Sequence, residues 1–144
     1  MITYRVGDIL EYHGHIAHCV SKDLRMSAGL ARKMKTRFGG VREMKRMKRR
    51  VGNIGVGNIA VIRRNGRSIV GLITKNHFWD KPSYGNIRRS LVKLRSYLAD
   101  MNHHSIAMPL IGCGLDGKNW NIVESIISEV FDRNFNIVIY KLPK

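Results

Sequence analysis

Cysteine is scarce in this chain: Cys19 and Cys113 are the only two in 144 residues. Two cannot build a disulfide framework, which favours a reducing compartment. Long apolar runs are missing as well, and no stretch approaches the ~18–20 consecutive apolar residues of a membrane span. The opening Met-Ile-Thr-Tyr-Arg-Val-Gly-Asp has no basic region followed by an apolar run, so no secretory signal is expected. No Gly-x-Ser-x-Gly elbow is present, and the glycines of Val51–Ile59 match neither a dinucleotide nor a P-loop fingerprint. These absences point to a soluble, intracellular protein that forms one domain over 1–144 with no membrane partner; a monomer is the working expectation, although composition does not set the oligomeric state.

Acid is the scarcest class of charge. Ten Asp+Glu face 26 Lys+Arg, giving a net charge of +16 and a pI near 10.6. Such a field draws polyanions or phosphate-bearing ligands. It is densest between Arg32 and Arg50, where ten basic residues accompany one acid, Glu43. Arg42, Lys45, Arg46, Lys48, Arg49 and Arg50 are the candidate polyanion contacts; a solvated helix face is the alternative.

What is present alternates strands with helices. Ile2, Tyr4 and Val6 predict a half-buried first strand, and His15–Val20 a buried one. Ser27 is placed to cap a helix ending at Phe38-Gly39-Gly40, and a basic helix with Val41, Met44 and Met47 on one side follows. Asn65-Gly66 predicts a hairpin turn between Ile59–Ile62 and Ser68–Ile73. Pro82-Ser83 opens a helix with Ile87, Leu91, Leu94 and Leu98 on one face, and Ser105–Leu110 reads as a strand. A helix with Ile122, Ile126 and Val130 and a last strand, Asn136–Tyr140, complete an α/β domain with a mixed sheet.

Ligands of open α/β sheets bind beyond the carboxyl ends of the strands, and three segments sit at such ends. Cys19–Ala31 runs from a strand into a helix through Ser27, Ala28 and Gly29; a phosphate site at the helix N-terminus and an ordinary turn both fit. Ile111-Gly-Cys-Gly-Leu-Asp-Gly117 packs three glycines into seven residues, a nest suited to a pyrophosphate. Asp116, inside that turn, either bonds its own loop or serves chemistry. Lys75 directly follows the apolar strand end Leu72-Ile-Thr74, where desolvation and neighbouring cations can free an amine for nucleophilic attack. His13, His15, His18 and Cys19 suggest metal ligands by composition, but an extended chain puts His18 on the opposite face from the others and leaves no fourth ligand, so no metal is expected. His103-His104 reads as a solvated turn, and Cys113 has no oriented histidine partner.

Taken in order, Tyr4–Ile9, Ala17-His-Cys-Val-Ser-Lys-Asp-Leu-Arg-Met26, Ala28-Gly-Leu-Ala31, Arg37–Gly40, Leu72-Ile-Thr-Lys75, Lys81–Tyr84, Met108-Pro-Leu-Ile-Gly-Cys-Gly-Leu-Asp116 and Val138–Tyr140 resemble the macrodomain family, nearest to its terminal ADP-ribose protein glycohydrolases. The resemblance covers nearly the whole chain. It implies a three-layer α/β/α domain with a mixed, mostly parallel sheet and ADP-ribose in a cleft over the strand ends. It places Asp8, Ile9 and Tyr140 by the adenine, Ser21, Ala28 and Gly29 by the distal ribose, and Gly112, Cys113, Gly114 and Leu115 around the pyrophosphate, and Thr74 is a further ligand-binding candidate. Lys75 and Asp116 fall where the family has its nucleophile and acid/base. The implied reaction frees mono-ADP-ribose from glutamate or aspartate esters, and from related esters such as O-acetyl-ADP-ribose, with no cofactor. Mono-ADP-ribosylated proteins are then the implied partners, with a nuclear, possible nucleolar or cytoplasmic location and a DNA-damage-response context. The alternative is a non-catalytic reader of ADP-ribose, poly-ADP-ribose, RNA or DNA that uses the basic face. Ser27, the Val51–Ile59 segment and the basic helix depart from the family pattern.

Overall fold

A computed structural model describes residues 1–26, 28–50, 55–114 and 116–143, with 48–50 described as backbone only. In chain order the elements are β1 (Ile2–Val6), a 3-10 turn (Ile9–Glu11), β2 (Ile16–Ser21), α1 (Gly29–Phe38), α2 (Val41–Arg50), β3 (Ile59–Arg64), β4 (Arg67–Lys75), α3 (Tyr84–Asp100), β5 (Ser105–Pro109), α4 (Trp120–Val130) and β6 (Asn136–Lys141). The sheet order is β1-β6-β5-β2-β4-β3, parallel throughout except for the β3–β4 hairpin.

Helices cover both faces of this sheet, so its central strands are apolar on both sides rather than alternating. In β4 the seven residues Ser68–Thr74 are all buried. Ala17, Val70, Leu72 and Met108 pack under α3 and α4, whereas Ile16, Val20, Ile69 and Ile73 pack under α1 and α2 with Met34 and Met44. The three-layer arrangement follows. Helix α3 starts where Ser83 Oγ accepts the Asn86 N–H at 3.0 Å, and its Ile87, Leu91, Leu94 and Leu98 are fully buried. The α1–α2 turn passes close over β3. Gly40 has φ +86°, and a Cβ there would lie 2.5 Å from Ile62 Cδ1, so the position accepts only glycine.

Four local expectations change. In β1, Tyr4 and Val6 are 42% and 72% exposed, because this edge strand pairs only with β6 and its alternation meets solvent rather than core. Tyr4 instead bonds Glu124 and accepts from Trp120 Nε1, both on α4. On α4 itself Ile122 is exposed, and Val123, Ile126 and Ile127 form the buried stripe; adjacent apolar residues at 122 and 123 left the face undecided by periodicity. Helix α1 has Ala28 at its N-cap with no side-chain hydrogen bond, and the expected cap, Ser27, lies outside the described residues. Within Val51–Ile59, residues 51–54 are outside as well, but Gly57 and Asn58 prolong the hairpin, through Gly57 N–H to Ile73 O (2.7 Å) and Ile73 N–H to Asn58 O (2.9 Å).

Leu94 is fully enclosed between α3 and the sheet, so Leu94→Ala leaves a cavity and costs about 2–5 kcal/mol. Urea denaturation should show a lower midpoint with an unchanged slope.

Candidate active site

The parallel strands β2 and β5 continue into helices on opposite faces of the sheet, α1 and α4, and they share a single registered pair, Ile16↔Ala107. Beyond it no ladder joins their carboxyl ends. The crevice that opens there, at the point where the strand order reverses, is a cleft of about 780 Å³, within the ~300–1,000 Å³ of ligand pockets. Its lining comes from the end of β2, the start of α1, the end of β4, the β5–α4 turn and Tyr140.

Lys75 enters this cleft because of a local irregularity. The β2–β4 register runs Val20↔Ile73 and then Ser21↔Lys75, so Thr74 is the extra residue of a bulge, a device that ends pairing and redirects side chains beside sites. Lys75 Nζ lies 2.7 Å from Asp116 Oδ1, with the two side chains only 15% and 12% exposed. The acid arrives from the opposite wall. The Ile111–Gly117 turn is closed by Cys113 N–H to Leu110 O (3.1 Å), Gly117 N–H to Gly114 O (3.1 Å) and Lys118 N–H to Gly112 O (2.7 Å). Gly112 has φ +74°, whereas around Gly114 a Cβ would meet nothing within 4 Å, which leaves room for a ligand against that backbone.

The sequence-predicted residues fall into three groups. Lys75, Asp116, Ser21, Ala28, Gly29, Gly112, Cys113, Gly114 and Tyr140 all line the cleft. Asp8 and Ile9 do not: Asp8 is exposed and caps the 3-10 turn through Leu10 N–H (2.9 Å), and Ile9 is buried in the α1/α2-side core. Thr74 is buried beneath the cleft, its hydroxyl facing the Cys19 thiol without a hydrogen bond among the described residues. Leu115 lies outside the described residues.

The two thiols are poor nucleophiles. Burial, reinforced by the Asp116 charge, pushes Cys19 up to about 12, and burial also raises Cys113, whose thiol donates to Ile111 O. Ser21 Oγ donates to Asp23 Oδ1 at 2.5 Å. Asp23 is the residue sequence reasoning missed. Burial opposes its charge, but the hydrogen bonds from Ser21 Oγ, Arg25 N–H and Phe78 N–H, with His77 nearby, together hold its carboxyl below the usual range. An acid two residues past a strand end, in a chain with ten acids, was the available signal. His18, Phe78, Trp79 and Lys81 also line the cleft unforeseen.

No group of three metal-capable side chains converges among the described residues. His15 stacks on His103 at 3.9 Å and accepts the Ser68 N–H on Nδ1, so His103 is packed rather than solvated as its turn position suggested. On α2, Arg42, Lys45 and Arg46 are exposed, and the neighbouring acid is taken by Arg64, which donates to both Glu43 oxygens at 2.6 and 3.1 Å. The side chains of Lys48, Arg49 and Arg50 lie outside the described residues.

Comparison with known proteins places this architecture. The family model described as Macro domain matches residues 17–127. The ADP-ribose glycohydrolase OARD1 of Bos taurus is 40% identical over 98% of this chain and 91% of its own length. The DNA ADP-ribosyl glycohydrolase of Mycobacterium tuberculosis is 28% identical over 97% of this chain but 42% of its own length. Among solved structures, the macrodomain of Mycobacterium tuberculosis DarG superposes with a TM-score of 0.87 at 25% identity, covering 100% of this chain and 99% of that one.

His18 lies at the cleft floor, fully enclosed, with neither ring nitrogen hydrogen-bonded within the described residues. Burial lowers its pKa to about 4 from 6.5. Between those values the unfolded chain binds a proton that the folded one refuses, so stability falls as pH drops through that window and is fully present above about 6.5. Urea titrations should show a loss of about 2 kcal/mol from pH 7 to pH 5 through this residue. His18→Leu should flatten that part of the pH dependence.

Proposed function

This chain belongs to the Macro domain family, and from that premise we propose that it is an ADP-ribosyl hydrolase that frees mono-ADP-ribose from glutamate or aspartate esters, with O-acetyl-ADP-ribose as a related substrate. The observation that carries this reading is the Lys75–Asp116 pair, an amine and a carboxylate 2.7 Å apart inside the cleft. A module that only holds ADP-ribose has no use for that couple. The 40% identity to an ADP-ribose glycohydrolase supports the same assignment.

The glycine turn Gly112–Gly114, with open space at Gly114, takes the pyrophosphate, Ala28 and Gly29 at the α1 N-terminus and Ser21 take the distal ribose, and Tyr140 borders the adenine.

Lys75 attacks as the free amine. In the resting protein Asp116 sits where it accepts the Lys75 proton. The Nζ–C1 bond forms as the bond from C1 to the ester oxygen breaks, and the electron pair leaves with the carboxylate. The departing carboxylate takes the Asp116 proton and releases it to solvent, and Asp116, a carboxylate again, takes a proton from the water that displaces Nζ from C1 and returns it to the lysine. The Cys19 and Cys113 thiols, kept protonated, do not compete for the sugar.

A second reading, binding of poly-ADP-ribose, RNA or DNA, is favoured by the solvent-facing Arg42, Lys45 and Arg46 and the net charge of +16. The two coexist: the basic face delivers the enzyme to modified nucleic acid or chromatin, with nuclear retention as a consequence.

Lys75→Ala should abolish release of ADP-ribose from a glutamate-linked, mono-ADP-ribosylated protein while affinity for ADP-ribose by calorimetry stays within a few-fold. Full activity in that variant would sink the lysine mechanism. Asp116→Asn should slow turnover and accumulate a lysine–sugar adduct visible by mass spectrometry. Replacing Arg42, Lys45 and Arg46 together by Gln should lower the salt slope of oligonucleotide binding by roughly two to three and reduce nuclear retention, sparing hydrolysis. An unchanged slope would make the run a solvated face.

A further inference from the structure

Two residues between β2 and α1 hold left-handed backbone without being glycine, Leu24 at φ 55° and Met26 at φ 48°, and both side chains are buried. Such conformations persist only where the surroundings over-determine them, and they gather at functional sites. Between the two, Arg25 is held on both sides of its backbone, its N–H by Asp23 Oδ1 (3.2 Å) and its carbonyl by Lys35 Nζ (3.2 Å). The same stretch is stitched to the strand end that bears Lys75, through Lys22 N–H to Lys75 O (2.8 Å) and Asp23 N–H to Asn76 O (3.3 Å). Phe78 N–H completes the connection on Asp23 Oδ2 (3.1 Å).

Asp23 thus takes three donors on two oxygens, the third being the Ser21 hydroxyl on Oδ1 at 2.5 Å. Only a carboxylate accepts on both oxygens; an amide would set its NH2 against the Phe78 N–H or against the Ser21 and Arg25 donors. A serine hydroxyl has one proton, and here it is committed to Asp23. Ser21 Oγ, on a residue 4% exposed that lines the cleft, therefore has only lone pairs to offer a ligand. Ser21 is also the register partner of Lys75. With Lys75 on C1 of the distal ribose, the sugar group nearest Ser21 is the hydroxyl on the adjoining carbon, C2. We propose that Asp23 is a positioning residue that acts through Ser21: it makes Ser21 Oγ a pure acceptor for the C2 hydroxyl of the distal ribose, so that the cleft selects a sugar carrying that hydroxyl. The inference rests on the reading that the distal ribose lies at Ser21 and that Lys75 attacks its C1. An oxygen that donates its proton to Ser21 is richer in electrons, which favours the positive charge that builds on C1 as the ester bond breaks.

The test measures binding of ADP-ribose, and of its analogue lacking the C2 hydroxyl on the distal ribose, by calorimetry on the full chain. Turnover of a glutamate-linked, mono-ADP-ribosylated peptide is followed in parallel. The wild type should hold ADP-ribose about tenfold more tightly than the deoxy analogue, the scale of one hydrogen bond whose partner is left unpaired. Asp23→Asn should shrink that ratio to about twofold and lower kcat for the peptide more than it raises KM. Ser21→Ala should shrink the ratio equally, and combining the two should take nothing further from it. A loss of affinity for both ligands alike in Asp23→Asn, with the ratio kept, would overturn the proposal and make Asp23 a brace of the rim. A ratio near one in the wild type would overturn it as well. If Asp23→Asn does not fold, Ser21→Ala decides, because it leaves the backbone bonds of Asp23 in place; an unchanged ratio there rejects the proposal. A wild type that shows the ratio, loses it in the variants and yet releases no ADP-ribose from the peptide refutes the hydrolase reading and leaves the sugar specificity standing.

Discussion

The Lys75–Asp116 ion pair is the contact on which the site depends, because it joins two segments that meet only when the sheet is complete. Lys75 is carried by the end of β4, and Asp116 by the turn after β5, with β2 between those strands. Both partners are largely withdrawn from water. Burying either charge alone would be costly, so each fixes the position of the other, and the cleft's two walls are held at the spacing of one hydrogen bond.

Around that pair the surroundings are arranged by hydrogen bonding rather than by further charge. Asp23 gathers the Ser21 hydroxyl and the Arg25 and Phe78 N–H groups, so one carboxylate ties the end of β2, the approach to α1 and the loop after β4 into a single rim. The glycine turn opposite is closed by its own backbone bonds, and it presents bare backbone to the cleft at Gly114. On α2 the described cations Arg42, Lys45 and Arg46 face solvent away from the cleft, and Glu43 among them is paired with Arg64.

Much of the fold was legible because its signals are local. The α3 stripe of Ile87, Leu91, Leu94 and Leu98, the Asn65-Gly66 turn and the apolar run of β4 each express their structure within a few residues. Errors arose where two local patterns were equally good. Ile122 and Val123 are both apolar, and only the packing of α4 against α3 selected the second. Tyr4 and Val6 alternate like core residues, but an edge strand gives them no layer to enter. His103 looked solvated until His15, distant in sequence, supplied a ring to stack on.

By itself the sequence determined the alternation of strands and helices, the excess of positive charge, and the identity of Lys75, Asp116 and the glycine turn as the chemically distinctive groups. Those follow from side-chain type, spacing and composition, which are properties of the chain. Only the tertiary structure decided that a bulge at Thr74 delivers Lys75 to Asp116, that Asp23 welds the rim, that His18 is enclosed without a hydrogen-bond partner among the described residues, and that Phe78 and Trp79 stand open beside Lys75. These depend on strand order and on which surfaces remain uncovered after packing, and neither is fixed until segments far apart in sequence have met.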